Sequence, residues 1–173
     1  TPANMFHLIR RQLTWNFRKP AVVMTPKSLL RDPRCTSTKD EFINGKFQEL
    51  FDDPNTGKSV SRVLFCSGKV YYDLYEKKIA DKRDDVAIVR MEQLHPLPVT
   101  QIQKIFSKYK GAEMFWVQEE PMNNGYWTYL LRFQEIFGSF KLISRKASAS
   151  PATGFSNVHK KEQAEIITKA FSK

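Results

Sequence analysis

A chain of 173 residues suits one domain, or one domain with the remnant of another, and can bury about 70% of its unfolded surface without a disulfide or metal staple. Apolar residues at 41% and aromatics at 13% exclude a disordered tail. No apolar run approaches the roughly 20 residues that span a bilayer, and Arg10 and Arg11 break the first apolar stretch before it could act as a secretory leader. The net charge of +10 points to an anionic partner. Its distribution speaks against nucleic acid, because no continuous basic stripe exists: residues 1–35 hold seven bases and one acid, residues 36–59 are net acidic, and the rest mixes both signs. Cys35 and Cys66 sit at neither metal-site nor redox-motif spacing. These features are expected of a soluble, intracellular chain.

Thr1-Pro2 reads as a helix entrance, with Thr as the cap and Pro in the first turn. Met5, Leu8, Ile9 and Leu13 continue the helix toward Lys19-Pro20. Residues 21–24 form a wholly apolar run of the kind found in buried parallel strands, and residues 26–31 read as a turn and a helical turn, stopped by Pro33. One helix and one strand, with no second strand to pair, make residues 1–35 the expected end of a preceding domain. Residues 36–59 have the Thr, Asp, Asn and Gly content of a connector that closes in a tight turn. Phe42, Ile43, Phe47, Leu50 and Phe51 make it a strap packed across a surface rather than a free hinge.

From Val60 the pattern is regular. Strands are expected at 63–66, 86–89, 114–117 and 140–143, each followed by a helical stretch except where loops intervene. The first helix carries Tyr71, Leu74, Tyr75 and Ile79 on one face, the second Ile102, Ile105, Phe106 and Tyr109, with Gly111 as its cap. A third contains Trp127, Leu130, Leu131 and Phe137 and ends at Gly138; the last presents Val158, Ile166, Ile167, Ala170 and Phe171. Alternation of strands with such helices predicts an α/β fold over residues 60–173: a mostly parallel sheet covered on both faces, three layers in all.

Ligands of open parallel sheets bind beyond the carboxyl ends of the strands. Here those ends carry Ser67-Gly68-Lys69, Arg90 with Glu92, and Glu119-Glu120. At the first, a tight turn, exposed helix N–H groups and a lysine would suit an anion, but the full glycine spacing of a phosphate loop is missing. A glycine required by the turn and a lysine in solvent is the plainer reading. Adjacent Glu119 and Glu120 point to opposite faces of an extended chain and are read as structural, at the following helix's N-terminus. His7, His95 and His159 stand far apart and read as surface or interface histidines; Cys66 closes an apolar strand, which disfavours nucleophilic use. No Gly-x-Ser-x-Gly elbow is present. Catalytic, cofactor-binding and metal-ligating residues are therefore expected to be none in this chain.

Several stretches form a series: Arg11-Gln12 with Lys19-Pro20, Met24-Thr25-Pro26-Lys27-Ser28-Leu29-Leu30-Arg31, and Cys66-Ser67-Gly68-Lys69-Val70-Tyr71-Tyr72-Asp73-Leu74. Val86 to Leu94, Gln118 to Gly125 with Trp127, and Ala147 to Ala152 with Gly154 and His159 complete it in order. Together they resemble the 2-oxoglutarate dehydrogenase family. The departures, His95-Pro96-Leu97-Pro98 and Asn124-Gly125-Tyr126, fall in loops. The resemblance implies a transketolase-type C-terminal domain at residues 60–173 and a tail of the pyrimidine-binding domain at 1–35. It implies thiamine diphosphate and Mg²⁺ bound by upstream domains across a homodimer interface, with none in this fragment. It also implies a dihydrolipoyl succinyltransferase partner, no nucleic acid or membrane partner, and residence in the bacterial cytoplasm or the mitochondrial matrix. Some family members bind acyl-CoA or nucleotide effectors near this domain, for which Ser67, Gly68, Lys69 and Arg90 are the candidates here. A relative acting on 2-oxoadipate and a free-standing anion-binding module remain as alternatives.

Overall fold

The computed structural model describes residues 1–57 and 59–172; Lys58, which the sequence places in the connector, and Lys173, to which the sequence extends the last helix, lie outside the described residues. The chain divides into two compact units, Thr1–Glu49 and Leu50–Lys173.

In the first unit, α1 (Pro2–Thr14) begins as its sequence dictates: the Thr1 hydroxyl accepts from the Asn4 amide at 3.2 Å and Pro2 sits in the first turn. A short 3₁₀ turn covers Lys27–Arg31, and α2 (Lys39–Ile43) carries a capping box in which Thr38 and Glu41 satisfy each other's backbone N–H groups. The interior of this unit is polar. Asn4 exchanges two hydrogen bonds with the Gln48 backbone at 3.1 and 2.8 Å, and His7 Nε2 lies 2.8 Å from the Glu41 carbonyl. His7 is thus buried, not a surface histidine.

Two expectations fail here. The helix stops at Thr14, about a turn early, because Trp15 turns to an extended conformation. Residues 21–24 form no strand: a strand exists only as part of a ladder, no neighbour offers one, and all four residues are exposed.

The second unit holds β1 (Leu50–Phe51), β2 (Arg62–Cys66), α3 (Val70–Ala80), β3 (Val86–Met91), α4 (Val99–Lys108), β4 (Glu113–Pro121), α5 (Trp127–Leu130), α6 (Gln134–Phe137), β5 (Lys141–Arg145) and α7 (Ser156–Phe171). The five-stranded sheet has the order β1-β3-β2-β4-β5, parallel except for β1, which runs antiparallel to β3. Alternate residues of the strands feed two cores. Val63, Phe65, Ala87, Val89 and Trp116 pack with Ile102 and Ile105 of α4, Leu130 and Phe137 on one face. Leu64, Cys66, Ile88 and Val117 pack with Val70 and Leu74 of α3 and Ile166 and Ala170 of α7 on the other. This is a three-layer α/β/α domain. Among the described residues no helix is long and apolar enough to cross a membrane.

Local corrections follow from packing. The helix expected between Trp127 and Gly138 is broken into α5 and α6 around residues 131–133. On α3, Ile79 is exposed and Lys78 takes the inward place. Leu131 and Val158, expected on buried faces, are exposed as well. The strap does contain structure: β1 pairs with β3, and Asp53 anchors the turn after it.

Candidate functional site

The carboxyl ends of β2, β3 and β4 lie side by side, with Cys66 in register with Arg90 on one neighbour and Val117 on the other. Gly68 turns the chain from β2 into α3 with φ +78°, a conformation that favours glycine. A Cβ built there would meet nothing within 4 Å, so the glycine serves the turn and does not make room for a ligand pressed against the backbone.

Both cations predicted for an anion site are already occupied. Lys69, at the N-cap of α3, pairs with Glu119 of β4. Arg90 is buried between the rings of Phe51 and Tyr71, its guanidinium carbon 4.5 and 4.4 Å from their centroids. Its Nε stands 2.6 Å from Glu92 Oε1, an ion pair without the alignment of a hydrogen bond. Two cations face two carboxylates, and an anion reaching this edge would have to displace them. Ser67 lies between these groups in the chain, half-buried. Glu119, expected at the following helix's N-terminus, pairs with Lys69 instead; Glu120 is exposed.

The thiol and the phenol at this edge are both pushed toward their protonated forms. Burial pushes the Cys66 thiol up to about 12, with the nearby Arg90 charge pulling the other way and losing. Burial likewise raises the Tyr71 phenol above its ordinary range. Among the described residues no three His, Cys, Asp or Glu side chains come together as metal ligands. These side chains offer no donor set that fits a diphosphate-bound Mg²⁺.

The remaining histidines stay apart. His95 Nδ1 lies 3.0 Å from the Tyr129 hydroxyl, and His159 Nδ1 accepts from Arg145 at 2.8 Å. Arg145, which sequence reasoning did not single out, also donates to Thr153 at 3.2 Å and so ties the end of the 146–155 loop to α7. Gln118 was seen only as part of a motif, yet it organises the loop after β4. Its Oε1 accepts from Trp116 Nε1 at 2.9 Å and from the Trp127 amide at 3.1 Å, while its Nε2 donates to the Pro121 and Asn124 carbonyls at 3.1 and 2.9 Å. Gly125 passes so close that a Cβ would come within 3.0 Å of the Gln118 amide. Two open grooves of about 480 and 440 Å³ lie elsewhere, one between Asp73 and Lys77 of α3 and Gln163 and Ile167 of α7, the other between α1 and residues 45–49. Neither includes Ser67, Gly68, Lys69 or Arg90.

Comparison with known proteins bears on this arrangement. The family described as "2-oxoglutarate dehydrogenase C-terminal" matches residues 36–171. The chain is 44% identical over 181 residues to a protein of Dictyostelium discoideum named "Probable 2-oxoadipate dehydrogenase complex component E1 homolog", covering 99% of this chain and 20% of that one. It is 45% identical over 184 residues to "2-oxoglutarate dehydrogenase, mitochondrial" of Caenorhabditis elegans (99% and 18%), and 42% identical over 180 residues to "2-oxoglutarate dehydrogenase E1 component" of Haemophilus influenzae (99% and 19%). The chain spans about a fifth of the length of these relatives.

Proposed function

Since this chain belongs to the 2-oxoglutarate dehydrogenase C-terminal family, we propose that it is the assembly domain at the carboxyl end of a thiamine-diphosphate-dependent E1 component. The complete enzyme decarboxylates 2-oxoglutarate and passes the succinyl group to the lipoyl arm of a dihydrolipoyl succinyltransferase. The observation that carries the reading is the closed carboxyl edge of the sheet, where ligands of this architecture would sit: Lys69 and Arg90 are held by Glu119 and Glu92, and the one thiol there is locked protonated. Thiamine diphosphate supplies the carbanion chemistry when bound, and its site belongs to the rest of the polypeptide and its homodimer partner. The residues here contribute rigid packing: two cores, and loops fixed by Gln118 and Arg145.

A 2-oxoadipate-acting enzyme is the second reading, favoured by the name of the Dictyostelium relative. In a eukaryote the enzyme would act in the mitochondrial matrix, as the name of the Caenorhabditis relative suggests, and in a bacterium in the cytoplasm. An acyl-CoA or nucleotide effector at Ser67, Gly68, Lys69 and Arg90 would bind by exchanging its phosphates for Glu119 and Glu92. On this account Glu119→Gln tightens such binding and Lys69→Ala weakens it, as read by calorimetry.

The main test supplies thiamine diphosphate, Mg²⁺, 2-oxoglutarate and a dye acceptor to the 173-residue chain and to the longer polypeptide. Turnover is expected from the longer polypeptide alone; turnover by the short chain overturns the proposal. Substituting 2-oxoadipate decides between the two substrates.

A further inference from the structure

Beyond the carboxyl ends of β4 and β5, residues 121–132 and 146–161 are tied into one surface. The Asn123 side chain donates to the Ser148 carbonyl at 2.9 Å and accepts from the Ser148 amide at 3.0 Å. The Met122 amide donates to the Arg145 carbonyl at 3.1 Å. Two polar side chains withdrawn from solvent brace these loops. Gln118, buried, holds one through the Pro121 and Asn124 carbonyls and the Trp127 amide. Arg145, its side chain 8% exposed, holds the other through Thr153 and His159. Burying polar groups costs free energy that their hydrogen bonds offset, and here those bonds fix loops rather than the core. The same loops leave Met122, Tyr126 and Phe155 47, 46 and 78% exposed. Arg132, Lys146, Lys160 and Lys161 are exposed as well, and neither segment contains an acid.

We propose that this surface docks the lipoyl-bearing domain of the acyltransferase through an acidic face of that domain. The inference rests on the reading of the chain as part of an E1 component, which hands a succinyl group to a lipoyl arm carried by another protein. Such a handover needs an encounter that forms and dissolves at every turnover. A surface fixed before its partner arrives loses little conformational entropy on docking, and a field of one sign speeds the approach of a partner of the other. Met, Tyr and Phe are residue types that interface cores favour. A second copy of this chain fits poorly, because a two-fold axis would set the same four cations against themselves.

The test uses the longer polypeptide with two acceptors, the isolated lipoyl domain and a dye. Replacing Lys146, Lys160 and Lys161 together by Glu should raise the KM for the lipoyl domain at least about tenfold and flatten its salt dependence, with dye-coupled turnover unchanged. Phe155→Ala should raise the same KM while the salt dependence stays. An unaltered KM overturns the proposal, and so does an equal loss with both acceptors. Hydrogen exchange gives a readout that needs no turnover: the amides of residues 122–126 and 146–158 should slow when the lipoyl domain is added. Full protection before its addition would mean that the polypeptide itself or a second copy covers the surface, and would also overturn the proposal. Protection by the lipoyl domain in a polypeptide inactive on 2-oxo acids would leave the docking surface standing and sink the functional reading. Dye-coupled turnover of 2-oxoglutarate without such protection would do the reverse.

Discussion

Leu13 and Leu74 both lie on helices with one apolar flank, yet Leu13 is mostly exposed and Leu74 has no accessible surface. The contrast runs through the two units. In Leu50–Lys173 the strands and helices bury their apolar faces in two cores divided by the sheet. In Thr1–Glu49 the buried residues are Ala3, Asn4 and His7, while Phe6, Ile9, Leu13, Val22 and Met24 face outward. Hydrophobic stabilisation scales with apolar area removed from water, whereas an internal hydrogen bond contributes only about 1 kcal/mol net. The second unit buries two apolar cores. The first has a polar interior, with Phe6 edge-on to Phe42 beside it, and leaves much of its apolar surface exposed.

The largest expected effect lies in the second unit. Lys78 and Asp53 are both fully buried, 2.6 Å apart, and the Asp53 carboxylate also accepts from the Ile88 amide at 2.9 Å. Lys78→Met leaves that carboxylate buried with only neutral donors, which should cost about 3–5 kcal/mol in urea unfolding. A loss below about 1 kcal/mol would mean that the strap is not anchored by charge. Next, Leu74→Ala should cost about 3 kcal/mol, and Leu13→Ala less than about 0.5 kcal/mol in the 173-residue chain, as for a surface position. In the longer polypeptide Leu13→Ala should approach the cost of Leu74→Ala. If it stays negligible there, the contrast between the units is intrinsic and not the result of a missing neighbour.

Three of the four parallel strands, β2, β3 and β4, were legible because each holds a run of consecutive apolar residues, a pattern that survives without knowledge of partners; β5, Lys141–Arg145, has only Leu142 and Ile143 and lies a residue or two beyond the expected 140–143. The antiparallel β1 was not: Leu50-Phe51 is two residues long in a polar stretch, and only its pairing with Met91 and Arg90 makes it a strand. The run at 21–24 failed for the opposite reason, having a strand's composition and no ladder to join. Periodicity assigned Ile79 inward and missed Lys78, because the acid that makes a buried lysine tolerable lies 25 positions earlier in the chain. At the candidate edge the sequence located Lys69 and Arg90 correctly at strand ends. The pairing of Lys69 with Glu119 shows only when strands far apart in the chain are brought into register, whereas Glu92 stands two residues from Arg90 in the sequence itself. Gln118 carried no signal by type; its place between two tryptophans and a glycine turn emerges from the fold.

Gln118 offers the next test. Replacing it with Leu strips acceptors from Trp116 Nε1 and the Trp127 amide and donors from two carbonyls, and should cost about 2 kcal/mol. The damage should be local, with the amides of the loop after β4 losing protection from exchange while those of β2 and β3 keep theirs. Loss of protection throughout the sheet would show that the loop and the core unfold as one.

The smallest effect is one of pH. At the amino end of the sheet Arg83 grips Asp85 with two hydrogen bonds, 2.6 and 2.8 Å, and this contact holds the carboxyl down at about 2, against an ordinary 3.8. A carboxyl lower in the folded than in the unfolded state adds stability above its unfolded value and loses it as the pH falls through the folded one. The contribution of Asp85 is therefore complete above about pH 4 and fades between there and about pH 2. Because the side chain is partly exposed, solvent screening keeps it near or below about 0.5 kcal/mol. Asp85→Asn should lower the urea midpoint slightly at pH 7, and the gap to the parent should close as the pH approaches 2.5. A gap that persists at low pH would assign the loss to the hydrogen bond that the Asp85 side chain accepts from the Ser61 hydroxyl and not to its charge.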